Sequence, residues 1–453
     1  MNIRNAVLRV WFVLLVSVWG VAASAAELDI ELAEPHWQFL LSNQPTGKTE
    51  AQLQPAERSF AQRIQPLLAK QDYAAVSRAF DGRPIDGDSA ALCQLRGQVL
   101  MSLKHYDEAE RALLAALRKM PALALAHRSL SLLYMVKKEY PKAGEQLRRS
   151  IELGVADAQV YGQLAYVNLQ SGNAASAVAG YRQALFLQPD NRQWQQGLLY
   201  ALLNADALDQ AQALVGEMLK RDAGDVSLWL LRSQVALKRE RYNEALSSLE
   251  VALQLGDNRS QNIATAAQLH LLHGSVRRAV DLLVDNSGRR GRRDLLPVME
   301  QVAAYLASRQ QWQSLSRLLG AVERQKKIPA PMRAHFEVYR AQLAMQHGKL
   351  KRARRALQSA IDSDPTQGDA LLALGDLYRR QQQPEQALLL YTRAEALPPF
   401  RERALLSRAQ LEIDREAYPE ALRLLRKAAQ LDPNRSDIAA NIRSLENLVR
   451  NRG

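Results

Sequence analysis

Few side chains in this 453-residue sequence have the type and spacing that enzymes use. The sequence contains no G-x-x-x-x-G-K phosphate loop, no H-E-x-x-H zinc motif and no G-x-S-x-G nucleophile elbow. His270 and His273 could share a helix face, but their place at a helix end favours half-exposed polar residues over metal ligands. Cys93 is the single cysteine, so it forms no intramolecular disulfide, and its position favours a small core residue. The sequence predicts no catalytic residue, no metal and no cofactor.

Basic residues offer a binding chemistry instead. The chain carries 60 Lys and Arg against 47 Asp and Glu, a formal charge of +13. We define the basic patch by seven arginines: Arg289, Arg290, Arg292, Arg293, Arg352, Arg354 and Arg355. Guanidinium groups bind carboxylates and phosphates through paired hydrogen bonds, so the patch predicts anionic glycan, a lipid surface or an acidic protein as partner. Solvated loops and helix faces explain it equally well, and nucleic acid is disfavoured because no aromatic pattern for base stacking accompanies it.

The start of the chain, residues 1–26, has the order of a secretory signal peptide. Arg4 and Arg9 come first, an uncharged apolar run covers residues 10–22, and Ala23 and Ala25 supply the small residues of a cleavage site. The run is shorter than the ~20 residues that span a bilayer, although a retained, tilted anchor is the alternative. We expect a cleaved leader, a periplasmic mature chain and no transmembrane span after cleavage.

Alanine recurs at every thirty-fourth position along most of the chain. The timed alanines are Ala75, Ala109, Ala143, Ala177, Ala211, Ala245 and Ala279, followed in the same step by Ala353, Ala387 and Ala421. Other small residues lie twelve positions earlier, and prolines such as Pro121 and Pro189 close several units. Small residues let two helices cross closely, and each two-helix unit leaves an apolar face that only the next unit covers. The period therefore predicts a stack of helix pairs.

This pattern resembles the tetratricopeptide repeat family, whose unit is a helix-turn-helix of the same period, over residues 56–433. The clearest units are residues 90–123, 158–191 and 368–401. The resemblance implies an all-α fold, a right-handed helix-turn-helix solenoid of about ten units. It also implies a protein partner, because members of this family bind proteins.

In this family the first helix of each unit lines the concave face, and its ninth residue points into it. The resemblance thus implies a groove of amides and phenols: Gln98, Tyr166, Tyr200, Gln234, Gln268, Gln342 and Gln410. Glutamine side chains can bond backbone N–H and C=O groups without requiring charge, which suits an extended peptide. Ordinary packing or solvated positions are an equal alternative.

Departures from the period set the expected boundaries. The step from Ala279 to Ala353 exceeds two periods by six positions, which indicates one irregular unit whose second helix runs from Trp312 to Val322. We expect a signal peptide at 1–26, a loose N-terminal tail at 27–55 and an N-terminal array at 56–285. An irregular unit or hinge with a basic loop follows at 286–331, then a C-terminal array at 332–435 and a capping helix with a tail at 436–453.

Together these features favour a non-enzymatic scaffold or adaptor of the bacterial cell envelope that binds a protein in a concave groove. Accessories of TonB-type transport or of other envelope machinery are candidate settings. The first alternative is a basic-patch binder of anionic glycan or lipid, and the second is an enzyme whose constellation is unrecognised. Partner identity, oligomeric state, curvature of the solenoid, leader retention and motion of residues 286–331 stay open at this point.

Overall fold

The computed structural model describes Pro35 and residues 51–288, 293–325 and 327–452. Within those ranges the chain forms 23 α-helices and four short 3-10 turns, with no β-strand. The predicted signal peptide and most of the predicted N-terminal tail lie outside the described residues. None of the helices in the described ranges is both long enough and apolar enough to cross a membrane. The expected all-α helix-turn-helix fold is confirmed.

The chain divides into two compact units between Glu240 and Arg241. The helices of the first unit are α1 Arg58–Ala69, α2 Tyr73–Ala79, α3 Ala90–Ser102, α4 Tyr106–Lys119, α5 Ala124–Val136, α6 Tyr140–Glu152, α7 Ala158–Gln170, α8 Ala174–Leu187, α9 Arg192–Asn204, α10 Leu208–Arg221 and α11 Val226–Lys238. From α3 to α10, consecutive helices pair as first and second helix of a repeat, and α1 carries Pro66 in its interior.

The second unit continues the alternation of first and second helices. Its helices are α12 Tyr242–Gln254, α13 Ser260–Leu272, α14 Val276–Ser287, α15 Leu296–Ser308, α16 Trp312–Glu323, α17 Ala330–Gln346, α18 Leu350–Ser363, α19 Gly368–Arg380, α20 Pro384–Glu395, α21 Arg401–Asp414, α22 Tyr418–Leu431 and α23 Ser436–Arg452. The irregular region contains the helix predicted at 312–322 as α16. The expected hinge at 286–331 lies inside this unit, and its motion stays a prediction.

The timed alanines lie in the core, as the crossing of paired helices requires. Nine of them are 0% exposed, and Ala75 in the short helix α2 is half-buried. Gly97 of α3 shows why these positions are small: a Cβ built there would lie 2.6 Å from Cγ of Leu113 on α4. Gly162 of α7 faces the fully buried Trp194 of α9 in the same way, again at 2.6 Å. Close packing thus occurs within helix pairs and between neighbouring first helices.

Tight turns join the two helices of each repeat, and one residue in each turn has a left-handed backbone. Seven of these residues are not glycine, with φ between 56° and 62°: Lys104, Lys138, Asp206, Glu240, Gln310, Gln382 and Glu416. Glycine occupies the equivalent turn position at Gly172, Gly274 and Gly348. The left-handed residue stops the first helix and reverses the chain within three or four residues.

The last helix, α23, covers the end of the second unit. Ile438 and Leu445 are buried against α21 and α22 residues such as Leu405 and Leu425, and Ile442 packs beside them. Its apolar residues pack on the preceding helices and its other residues are mostly exposed, a pattern expected of a helix that caps a repeat stack.

Candidate binding groove and basic surface

The groove positions of the first unit combine packing with hydrogen bonding. Gln98 on α3 donates from Nε2 to Oγ of Ser129 on the next first helix, α5, at 3.0 Å. Tyr166 on α7 is only 6% exposed, and its ring lies edge-on to Tyr140 with ring centroids 6.2 Å apart. Tyr166 therefore contributes packed surface. Two further members of the row, on α9 and α11, are half-buried: Tyr200 and Gln234.

The second unit presents its amides more openly. Gln268 on α13 donates from Nε2 to Oε1 of the exposed Gln301 on α15 at 3.0 Å, so these amides join neighbouring first helices. Gln342 on α17 is half-buried. Gln410 on α21 is exposed and donates to Asp414, one turn further along its own helix, at 2.9 Å. An amide has two donors and an acceptor, so one internal hydrogen bond leaves capacity for a peptide backbone.

Ion pairs also link successive first helices of the second unit. Arg403 on α21 donates to Asp369 on α19 at 2.7 Å. Arg379 on α19 and Asp414 on α21 form a second pair between the same two helices. These contacts link two successive first helices of the unit through side chains.

One histidine of the second unit has a shifted proton affinity. His335 on α17 is bonded through Nδ1 to the carboxylate of Glu300 on α15. This hydrogen bond raises the pKa of His335 above its ordinary value, and the more distant carboxylates of Asp364 and Asp369 act in the same direction. Burial raises the pKa of the neighbouring Tyr339 to about 12, so its phenol stays protonated at neutral pH.

The two histidines that could have shared a metal have separate surroundings. His270 bonds through Nε2 to Oε1 of Glu250 at 2.6 Å, whereas His273 is exposed. Arg278 binds the same Glu250 carboxylate with two hydrogen bonds, and this contact lowers the pKa of Glu250. Cys93 is buried, and burial raises the pKa of its thiol to about 11.

The repeat period in the helices and the sequence match to a family model point the same way. The tetratricopeptide repeat model matches residues 95–159, 338–402 and 372–436, and each match falls on helix pairs described above. The chain contains tetratricopeptide repeats. Folds of this family serve as protein–protein interaction scaffolds.

The known proteins that this chain resembles match it over part of its length and at low sequence identity. Human protein O-mannosyl-transferase TMTC1 is 24% identical over 127 residues, which cover 28% of this chain and 14% of that protein's length. The crystal structure of YrrB, a tetratricopeptide protein described as having an unusual peptide-binding site, is 18% identical. The match covers 40% of this chain and 91% of YrrB, with a TM-score of 0.36. PilF of Pseudomonas aeruginosa is 17% identical over 43% of this chain and 89% of PilF, with a TM-score of 0.35.

The tetratricopeptide architecture separates the members of the predicted basic patch. Arg352, Arg354 and Arg355 are exposed near the start of α18, at the end of the repeat where its two helices are joined. Arg293 is exposed in a 3-10 turn between α14 and α15, which lies at the opposite end of the antiparallel helices. Arg289, Arg290 and Arg292 lie outside the described residues. The described arginines therefore belong to two separate turns, Arg293 to the turn before α15 and the other three to the start of α18.

The basic start of α18 is unusual in its chemistry. Five cations lie close together in sequence and are all exposed: Lys349, Lys351, Arg352, Arg354 and Arg355. Among the described residues, none of the five forms an ion pair or a side-chain hydrogen bond. Cations at a helix N-terminus oppose the helix dipole, so nothing within this helix favours them there. An anionic ligand would stabilise both the cations and the helix start.

The first unit also contains a cavity that the sequence did not predict. It has a volume of about 470 Å³, and its charged lining consists of Arg96, Glu108, Arg111 and Arg118. Arg96 comes from α3 and the other three from α4, so the set is not contiguous in sequence. In the sequence, Arg111 and Arg118 are spaced two helical turns apart along α4, which places them on one face of that helix. The sequence does not show that this face borders a cavity.

Proposed function

We propose that this protein is a non-catalytic scaffold of the bacterial cell envelope, which holds an extended segment of a partner protein against the first helices of its repeats. The family supports the general role in protein interaction. The groove surface of the second unit supports the kind of partner, because amides of Gln268, Gln301 and Gln342 lie where a peptide backbone would run. An accessory role in TonB-type transport, or in other envelope machinery, belongs to this proposal.

The periplasmic setting rests on residues 1–26, with their charged start, apolar run and small residues before Ala26. Mass spectrometry of the chain purified from a bacterial periplasmic fraction tests it. We expect a mature N-terminus near Glu27. Recovery of a cytoplasmic chain with an intact leader would contradict the periplasmic location. That result would not bear on peptide binding in the groove.

The absence of catalysis is part of the proposal. A preformed groove offers contact area without a folding cost, which suits a scaffold. The match to TMTC1 covers only 14% of that protein, so it does not support assigning the activity of TMTC1 to this chain. Turnover that survives extensive purification and disappears with a single substitution would overturn this part.

Site-specific photo-crosslinking tests the groove. A photoreactive amino acid at Gln342 should capture partner protein in intact cells. The same amino acid at Gln358 is the matched control, because Gln358 is an exposed glutamine on the second helix of the same repeat. We expect at least tenfold more captured partner from position 342. Equal capture from both positions would refute binding along the first helices.

The start of α18 supports a second candidate, the binding of an anionic lipid or glycan surface. Replacing Arg352, Arg354 and Arg355 with serine should abolish salt-sensitive cosedimentation with phosphatidylglycerol vesicles. The control replaces three arginines of the same unit that form ion pairs, and so changes the net charge equally: Arg415, Arg423 and Arg426. Equal loss of vesicle binding in both variants would show that binding depends only on net charge and would refute the site. Unchanged vesicle binding in both variants would also refute it.

A further inference from the structure

The cavity between α3 and α4 has an unusual balance of charge. Three of its four charged lining residues are arginines. Arg96 already donates to the backbone oxygen of Arg83 at 3.0 Å and lies over the ring of Phe80. Arg111 and Arg118 are exposed, and within the described part of the chain neither makes an ion pair or a hydrogen bond. The cavity therefore offers two available guanidinium groups beside a third that is fixed.

Apolar side chains complete the lining and restrict what could bind. Ile85, Leu100 and Leu114 border the cavity, and Leu114 is 37% exposed. A small inorganic anion would leave these side chains in water, whereas a ligand with alternating carboxylates and apolar groups would cover them. The single Glu108 at the edge leaves the cavity net positive, which favours an anionic ligand over a neutral apolar one.

One segment of this chain has that composition. Residues 27–34 read Glu-Leu-Asp-Ile-Glu-Leu-Ala-Glu, with four carboxylates and no basic residue. We propose that this acidic segment, defined as residues 27–34, binds in the cavity with its carboxylates on Arg111 and Arg118 and its aliphatic side chains on Leu114 and its neighbours. The occupant is thus the chain's own N-terminal region.

The described residues next to the segment support this assignment. Ala51 packs against the same core cluster as Ile85, which itself borders the cavity, so the chain leaves the described region beside the proposed site. The stretch between Glu34 and Ala51 can span up to about 55 Å at about 3.4 Å per residue, so its length does not prevent binding.

Disulfide formation between introduced cysteines tests the proposal in the full chain. Glu31→Cys combined with Leu114→Cys places one thiol in the segment and one at the cavity. Glu31→Cys with Leu187→Cys is the control, because Leu187 is a similarly exposed leucine on α8 of the same unit, at 44% against 37%. Cys93 does not interfere because it is buried and its pKa is raised to about 11. We expect disulfide formation at least tenfold faster in the cavity pair, at a rate independent of protein concentration.

Charge reversal identifies the interaction that drives docking. Arg111→Glu with Arg118→Glu should slow the cavity crosslink by tenfold or more. Arg148→Glu with Lys220→Glu is the control, since both are exposed cations of the unit on other second helices, and it should leave the rate unchanged. A synthetic peptide of residues 27–40 should compete with the crosslink in the parent pair. Circular dichroism at the start of each experiment verifies that the variants are folded.

Three outcomes would overturn the assignment. The first is equal crosslinking at Leu114 and Leu187, and the second is a cavity crosslink that survives charge reversal. The third is a crosslink that forms only between two chains, with a rate proportional to protein concentration. None of these bears on peptide binding along the first helices of the second unit, so this inference and the proposed function fail independently.

Discussion

Replacing Gly162 with alanine tests the close approach of neighbouring first helices in the first unit. Gly162 lies in the middle of α7, and Trp194 of α9 is fully buried beside it. A Cβ at this position would lie 2.6 Å from Cη2 and Cζ3 of the indole, closer than non-bonded heavy atoms approach a Cβ in folded proteins. Since the indole is rigid and enclosed, either α7 or Trp194 must shift.

The magnitude follows from two opposing effects. Alanine in place of glycine inside a helix stabilises by about 1 kcal/mol. Overpacking a closed core site costs about 1–3 kcal/mol, so Gly162→Ala should lower the free energy of unfolding by up to about 2 kcal/mol. Gly216 in α10 is the matched control, because no heavy atom lies within 4 Å of a Cβ built there. Gly216→Ala should keep only the helical gain and stabilise by about 1 kcal/mol.

Urea unfolding followed by circular dichroism measures both variants. Repeat arrays can depart from two-state unfolding, so the transition midpoints are compared as well as the fitted free energies. Gly162→Ala should also cost less in a Trp194→Phe background, where the smaller ring leaves space. Equal stabilisation by Gly162→Ala and Gly216→Ala would refute the packing described for α7 and α9.

Three further outcomes are expected. Ala177→Trp, at a fully buried helix crossing, should lower the free energy of unfolding by about 1–3 kcal/mol or more, and an unchanged melting temperature would contradict the crossing. Cys93 should resist alkylation at pH 8 until urea unfolds the chain, because burial raises its pKa to about 11; rapid labelling of the native chain would be inconsistent with that burial. The contact with Glu300 raises the pKa of His335 in the folded chain. The contact therefore stabilises the folded state fully below the ordinary pKa of 6.5, and this stabilisation is lost as the pH rises through the raised pKa of the folded state. The effect of Glu300→Gln on stability should accordingly be larger at pH 5.5 than at pH 9, and an effect of equal size at the two pH values would argue against it.

The sequence predicted the helix pairs well because the underlying constraint is local and repeated. A side chain larger than alanine does not fit where paired helices cross, so Ala109, Ala143 and Ala177 recur at one step and are all fully buried. The second helix of the irregular unit was also predicted, since Ser314 lies near the position that the alanine period marks. These features depend on residues within a single repeat, which is what a period records.

Features that depend on contacts between side chains of different helices were not predictable from the period. Tyr166 occupies a groove position in the family pattern, yet its ring is buried against Tyr140 of the preceding second helix. The cavity needs Arg96 from one helix and Arg118 from another, and no spacing within either helix reveals their proximity. The composition of the basic patch likewise did not indicate that Arg293 and Arg352 belong to different turns of the fold.

The left-handed turns between paired helices have a consequence for engineering this protein. Residues such as Lys104, Asp206 and Gln382 hold a conformation that costs an L-amino acid roughly 1–2 kcal/mol, whereas glycine enters it without a steric penalty and loses about 0.5–1 kcal/mol in chain entropy. Each exchange for glycine should yield a small net gain. Because a stacked array sums the contributions of its modules, such exchanges at turns whose side chains make no ion pair would together give a more heat-tolerant chain.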